Sequence, residues 1–397
     1  MITLSKRVSQ LGESETLAMS RKSRELKALG HDVINLSLGE PDFFTPDNIK
    51  EAAKRAIDEN YSFYPPVNGY QDVREAIARK FKRDNNLEYT AEQIVVSTGA
   101  KQAIMNALMC TIDPGDEVII PTPYWVSYSH MVQLVEGKAV FVETGIENDF
   151  KITAEQLQQA ITPATRMFMF SSPCNPSGTV YTRQELASLA AVFEKNPHVY
   201  ILSDEIYELI NFDKNHESIA QFEPIKDRVI IINGVSKGFA MTGWRVGYLA
   251  AHPDIAKAAN KLQGQITSAT CSIAQKATLE AMETLPEATW GMLEKFRERR
   301  DLVLQLLNNI PGLKTNVPQG AFYIFPDVSA YFGKSDGNSV INNANDLCMY
   351  IMNKVFVALV PGDAFGAPNC IRISYATSNE LLTEAVRRIQ SALEALK

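Results

Sequence analysis

The chain has 397 residues, is 45% hydrophobic and 21% charged, and carries a formal net charge of -7, the profile of a globular chain long enough for two domains and a sizeable core. The charge is spread without basic or acidic blocks, which speaks against a nucleic-acid surface, and no apolar run approaches the roughly 20 residues that span a bilayer. The opening stretch MITLSKRVSQLGESETL lacks the apolar centre of a signal peptide, so a cytoplasmic protein with neither membrane nor nucleic acid as partner is expected. Five separated cysteines, Cys110, Cys174, Cys271, Cys348 and Cys370, suit a reduced compartment and are expected as core or pocket-wall thiols. The histidines show no ligand spacing, so no metal is expected.

In chain order, a polar helix is predicted over Glu13–Leu29 and a strand over Val33–Leu36, and Thr45-Pro46 reads as an N-cap followed by a first-turn proline. Short apolar runs then alternate with amphipathic ones. Strands are predicted at Ile94–Ser97, Glu117–Ile120, Ala139–Glu143, Arg166–Ser171, Val199–Ser203, Val229–Ile232 and Val246–Ala250. Helices fall at Gln102–Met109, Ala154–Ile161 and Arg183–Lys195, the last opened by a capping box of Thr182 and Glu185. This alternation predicts an α/β fold whose mostly parallel sheet is covered on both faces. Toward the C-terminus the rhythm changes: a long helix at Ala288–Asn309, short strands near Ala321–Phe325, Val357–Val360 and Ile371–Ser374, and helices at Asn343–Asn353 and Asn379–Leu396. These form a smaller α+β domain that the N-terminal segment is expected to join, giving a large domain over 49–288 and a small one from 1–48 plus 289–397.

In an open parallel sheet ligands lie beyond the carboxyl ends of the strands, so polar residues just after the apolar runs carry the chemistry. In NGVSKGFAMTGWRVGY (Asn233–Tyr248), Lys237 stands in an apolar, glycine-rich setting. Burial lowers a lysine pKa and makes the amine a Schiff-base candidate, although a snorkelling lysine fits the same pattern. The run Ser97-Thr98-Gly99-Ala100-Lys101 turns from strand to helix, which makes either an anion cradle, with Ser236 and Arg245 nearby, or an ordinary cap. Asp204 follows a buried strand and suits a ring nitrogen or a helix cap. Asn175 is pinned between Pro173-Cys174 and Pro176. Arg372 lies inside an apolar strand, where its fork fits a substrate carboxylate or a protein salt bridge. A lysine, an aspartate, an arginine and an anion cradle together match the needs of pyridoxal phosphate chemistry.

The same residues fall in motifs: GEPDF (Gly39–Phe43), YPPVNGY (Tyr64–Tyr70), STGAKQA (Ser97–Ala103), PTPYWVSY (Pro121–Tyr128), SPCNPSG (Ser172–Gly178), SDEIY (Ser203–Tyr207), SKGFAMTGWRVGY (Ser236–Tyr248) and RISYAT (Arg372–Thr377). In this order and over essentially its whole length, the chain resembles the class I aminotransferases of the fold type I pyridoxal-phosphate enzymes, most closely the bacterial aspartate aminotransferases. The resemblance implies that Lys237 holds the cofactor as a Schiff base and, once released, moves the proton from Cα to C4′. It implies that Asp204 pairs with the pyridinium nitrogen, that Tyr207 and Asn175 bond the ring hydroxyl oxygen, and that Trp125 lies over the ring. Phosphate is expected on the N–H groups of Gly99, Ala100 and Lys101, on Ser236 and Arg245, and on Tyr64 of a neighbouring subunit, which requires a homodimer.

Arg372 and Asn175, with the backbone of Gly39, are expected to hold the substrate α-carboxylate, and Trp125 to line the substrate side. Gln263–Cys271, where some aspartate enzymes place an arginine for the distal carboxylate, contains none; the resemblance implies that Lys101 takes that carboxylate, as in the subgroup this chain is similar to. The implied reaction is ping-pong transamination from aspartate to 2-oxoglutarate. The scaffold also hosts aromatic or prephenate transamination and cysteine-conjugate β-lyase chemistry. A regulatory protein with an idle domain of this kind is disfavoured, because GEPDF stands too near the first residue for a DNA-binding module to precede it. Two departures stand out: Cys174 where the family often has Asn, and Gly234 where it often has Ser, the latter expected to weaken one phosphate contact.

Overall fold

The structure, a computed structural model, describes residues 4–9, 11–12 and 15–397. The first long helix spans Glu15–Ala28, so the predicted start at Glu13 lies outside the described residues. It leads into strand β1 (Ile34–Asn35). Strands β2 (Ile94–Ser97), β3 (Glu117–Thr122), β4 (Lys138–Glu143), β5 (Thr165–Ser171), β6 (Tyr200–Asp204), β7 (Val229–Gly234) and β8 (Gly247–Ala250) form one sheet in the order β2-β8-β7-β6-β5-β3-β4. The predicted strands all appear, with ends moved by one or two residues.

Alternation along each strand explains why both sides are covered. In β7, Val229 and Ile231 enter one hydrophobic cluster with Val73, Phe81 and Phe193, whereas Ile230 and Ile232 enter the opposite one with Ile104, Leu108 and Met131. All four are fully buried, and burying such a side chain stabilises by about 1.5–3 kcal/mol. Helices Gln71–Asn85, Arg183–Lys195 and Ser272–Glu283 cover the first face, and Ala100–Thr111, Ser127–Leu134 and Pro253–Ile266 the second.

Strand direction places the site. β3 to β7 run parallel to their neighbours, and only β8 pairs antiparallel, on both of its sides. The carboxyl ends of the other six strands therefore share one edge. The start of β8 reaches that edge too, because Gly247 pairs with both Ser97 and Gly234. Residues just before β8, such as Arg245, are thus delivered beside residues just after β2, β6 and β7.

Near the C-terminus lie β9 (Tyr323–Ile324), β10 (Val357–Ala358), β11 (Val360–Pro361) and β12 (Ile371–Ser374). The single run expected over Val357–Val360 is two strands: β10 pairs in parallel with β1, and β11 joins a separate β11-β12-β9 sheet. Met19, Leu26 and Val33 pack in one cluster with Phe296, Leu382 and Ile389. The capping box is present, with Glu185 Oε2 accepting from the Thr182 N–H at 2.7 Å. Thr45 is not an N-cap. Its hydroxyl donates instead to the Ala240 carbonyl at 2.9 Å, and Pro46 caps the helix Asp47–Asp58. All five cysteines are unpaired; Cys174, Cys348 and Cys370 are buried, Cys110 is half-buried, and Cys271 is exposed at the start of its helix, on the wall of an open groove beside Arg245 and Thr270. Among the described residues no helix is long and apolar enough to cross a membrane.

Candidate active site

At the shared strand edge lies a cavity of about 610 Å³, a size typical of small-molecule sites. Every residue singled out in the sequence lines it except Gly99 and Tyr64: Gly39, Ala100, Lys101, Trp125, Asn175, Asp204, Tyr207, Ser236, Lys237, Arg245 and Arg372. Gly99 sits at its rim against Arg245. Tyr64 is 96% exposed and lies away from the cavity of its own chain.

Lys237 is at the floor, with its ammonium 5.7 Å from the Tyr207 ring centre and 5.9 Å from that of Phe322. It donates to the Gly39 carbonyl at 2.5 Å. Burial, aided by the charges of Arg372 and Arg245 and opposed by Glu40, brings its pKa down to about 8. A substantial neutral fraction is therefore available near neutrality, as an attacking amine requires.

Asp204 ends β6, its side chain almost fully buried. Tyr128 donates its hydroxyl to Oδ2 at 2.7 Å and the Ile206 N–H donates to Oδ1 at 3.3 Å. Burial nevertheless raises the carboxyl pKa to about 6. Among the described residues no cation bridges to it, so a cationic ligand group would relieve the cost of its burial. The helix-cap alternative fails because β6 is followed by an irregular turn, not a helix.

Arg372 is also buried, 2% exposed, in β12. Its Nη1 donates to Asn175 Oδ1 at 3.0 Å and its Nη2 to the Ser37 carbonyl at 2.7 Å. Nε has no partner, and among the described residues no carboxylate pairs with the guanidinium. No protein salt bridge therefore forms here among the described residues, and a buried charge and an orphaned donor are left without a protein counter-group. The Tyr207 and Tyr323 hydroxyls bond each other at 2.8 Å, and the Tyr323 ring centre lies 4.5 Å from the guanidinium carbon.

The anion cradle is built by close backbone approach. Gly99 (φ 83°) precedes the helix Ala100–Thr111, and a Cβ there would stand 2.3 Å from Arg245 Nη2. A Cβ on Gly247 would stand 2.2 Å from the Ala100 nitrogen. Helix N-terminus, β8 and the Arg245 guanidinium can converge only because both positions are glycine. A Cβ on Gly234 would meet Gly247 Cα and the Val246 carbonyl, each at 2.8 Å, so a side chain there would press on the start of β8. Cys174 approaches the Pro123 carbonyl at 3.8 Å, outside the cavity.

Lys101, at the mouth, has its ammonium 4.9 Å from the Trp125 ring centre and no carboxylate partner among the described residues. Crowding by protein atoms and then the charge of Arg245 lower its pKa. Three contributors escaped the sequence reading: Tyr128, Tyr323 and the Ser37 carbonyl. Tyr128 was visible in PTPYWVSY, one helical turn beyond Trp125, while nothing local marks the other two.

A lysine of lowered pKa, a buried cation-seeking carboxylate, an anion cradle and a free buried guanidinium around one cavity define a fold type I pyridoxal-phosphate enzyme. The chain belongs to the family of aminotransferases of class I and II, whose family model matches residues 31–389. It is 48% identical over 394 residues to the aspartate/prephenate aminotransferase of Cereibacter sphaeroides, covering 98% of each chain. It is 44% identical to a bifunctional aspartate aminotransferase and glutamate/aspartate-prephenate aminotransferase of Petunia hybrida, covering 100% of this chain and 84% of that one. Among solved structures it superposes on the aspartate aminotransferase of Rhizobium meliloti with a TM-score of 0.97 at 42% identity, with complete coverage of both chains. The maleate-bound aspartate aminotransferase of Thermus thermophilus follows with a TM-score of 0.91 at 39% identity, covering 99% of this chain and 100% of that one. The protein is an aminotransferase that uses pyridoxal 5′-phosphate.

Proposed function

We propose that the chain transfers the amino group of aspartate to 2-oxoglutarate, giving oxaloacetate and glutamate. The observation that carries this reading is the pair of cations in one cavity, Arg372 and Lys101, neither of which has a carboxylate partner among the described residues. A dicarboxylate matches two such cations. The names of the relatives and the maleate in the Thermus structure support it.

The residues fit the cofactor. Lys237 would anchor it, Asp204 would hold a proton on the ring nitrogen, and Tyr207 and Asn175 would bond the ring oxygen, with Trp125 over the ring face. Ser236, Arg245 and the N–H groups of Gly99 to Lys101 would hold the phosphate. Bound there, the ring supplies an electron sink for charge at the substrate Cα. Arg372, steadied by Asn175 and Ser37, binds the α-carboxylate and sets the orientation of the Cα–H bond. The amine of Lys237, with its pKa near 8, takes the Cα proton and returns it on the far side of the reaction.

We also infer a homodimer, in which Tyr64 reaches the partner's phosphate site. Support comes from its 96% exposure together with Phe44 at 93% and Phe63 at 82%, an apolar surface that calls for a cover. The division into 49–288 and 1–48 plus 289–397 is part of the same reading, supported by the β1–β10 pairing.

The test is Lys101→Ala with a panel of donors. A charge-assisted contact is worth about 1.5–3 kcal/mol, so kcat/KM for aspartate is expected to fall roughly 10- to 100-fold while alanine and phenylalanine are unaffected. An unchanged ratio would remove the assignment. A second reading, prephenate as amino acceptor, is favoured by the relatives' names and is scored by replacing 2-oxoglutarate with prephenate against a fixed aspartate or glutamate donor. Pyruvate and ammonia released from a cysteine conjugate without an oxo acid would point to the β-lyase instead.

A further inference from the structure

Behind the active site, on the side away from the cavity, the turn that carries Asp204 and Tyr207 also carries two buried glutamates. Glu205 is fully buried, and its Oε1 accepts from the hydroxyls of Ser203 at 2.9 Å and Ser218 at 2.7 Å. Its Oε2 lies 3.0 Å from His216 Nε2, a charge contact in which neither atom has an aligned hydrogen bond. Glu208 forms an ion pair with Lys80 of the helix Gln71–Asn85, and Asn85 ties the two together, accepting from Lys80 Nζ at 2.9 Å and donating to Glu208 Oε2 at 3.2 Å. The other groups facing the cluster are Asp84, already paired with Arg83, and the phenols of Tyr89 and Tyr248. The side chains of His216 and Lys80 are 6% and 3% exposed.

Two buried carboxylates and one ammonium leave one negative charge over, and an unpaired charge at this depth is very costly. His216 is the remaining group able to cancel it. Burial opposes its protonation, but the carboxylate of Glu205 outweighs burial and raises its pKa. Glu205, Glu208 and His216 also offer ligand atoms within 4.8 Å of one another. A dication there would sit beside the ammonium of Lys80, which already occupies the cation position on Glu208.

We propose that His216 is a positioning residue of the active centre: as an imidazolium it closes a buried four-membered charge cluster with Glu205, Glu208 and Lys80. It thereby fixes the turn that carries Asp204 and Tyr207, and it keeps an uncompensated carboxylate from acting on the neighbouring Asp204. The first part stands on geometry alone; the second rests on the role proposed above for Asp204.

The test uses full-length His216→Gln, Glu205→Gln and the double variant. Without cofactor, thermal unfolding should show each single variant destabilised and the double variant less destabilised than the sum, because removing both partners leaves no orphaned charge. A raised histidine pKa contributes stability that is complete below the unfolded value of about 6.5 and is lost as the pH rises through the folded value. The advantage of wild type over His216→Gln should therefore shrink toward alkaline pH. Additive losses, or a pH-independent difference, overturn the cluster.

For the active-centre role, the midpoint of the visible-band pH titration of the loaded enzyme should rise by roughly one unit in His216→Gln. In the double variant it should return toward wild type, which a merely structural role would not produce. A midpoint unmoved in a folded His216→Gln overturns that part only. If His216→Gln does not accumulate as folded protein, recovery of folded protein in the double variant supports the cluster and failure to recover overturns it. Stabilisation of wild type, but not of His216→Gln, by added zinc or manganese would show a metal site and overturn the proton as counter-ion.

Discussion

Replacing Arg372 by lysine keeps the charge and removes the fork. In the native site Nη1 donates to Asn175 Oδ1 and Nη2 to the Ser37 carbonyl, and in the reading proposed above the remaining N–H donors of the guanidinium meet the substrate α-carboxylate. A lysine ammonium is a point charge that cannot keep both anchors and also present two donors in a plane. The loss is two charge-assisted hydrogen bonds to the α-carboxylate, each worth about 1.5–3 kcal/mol. Partial compensation by the ammonium still leaves about 3 kcal/mol, or roughly a 100-fold fall in kcat/KM. The α-carboxylate is common to all amino acids, so the fall should be similar for aspartate, alanine and phenylalanine. Single-turnover half-reactions with these donors measure it, and thermal unfolding checks that the variant is folded. A loss confined to aspartate, or one smaller than about fivefold, would mean that Arg372 is not the α-carboxylate site.

Asp204→Asn should stabilise the cofactor-free protein where the native carboxylate is charged. Folding moves this carboxyl from 3.8 to about 6, so the folded state binds the extra proton between those values and carries a constant burial cost above pH 6. That cost is on the order of 1–3 kcal/mol. Urea unfolding should show the variant ahead of wild type at pH 8 and level with it near pH 4, and equal differences at both pH values would discredit the burial argument. The exchange of Tyr64 can be tested by mixing subunits. A hybrid of one Lys237→Ala and one Tyr64→Ala chain regains one complete site if Tyr64 acts across the interface, whereas activity no higher than that of the Tyr64→Ala dimer would confine Tyr64 to its own chain.

The α/β core was legible because its strands are buried on both faces and read as unbroken apolar runs such as Val229–Ile232. The capping box at Thr182 was legible because its partners lie three residues apart. Thr45 misled for the opposite reason: its local pattern suits an N-cap, but its hydroxyl is taken by Ala240, 195 residues away.

By itself the sequence determined the residue types that the chemistry needs and their positions after apolar strands, since local spacing decides which strand or helix terminus carries each group. Tertiary structure decided which of them remain unpaired. Arg372 could have met a protein carboxylate and Asp204 a protein cation; only the packing of β12 against the Asn175 loop and of Tyr128 against β6 shows that, among the described residues, neither does. Whether a buried charge is left for a ligand depends on every group around it in space, and most of those groups are distant in sequence.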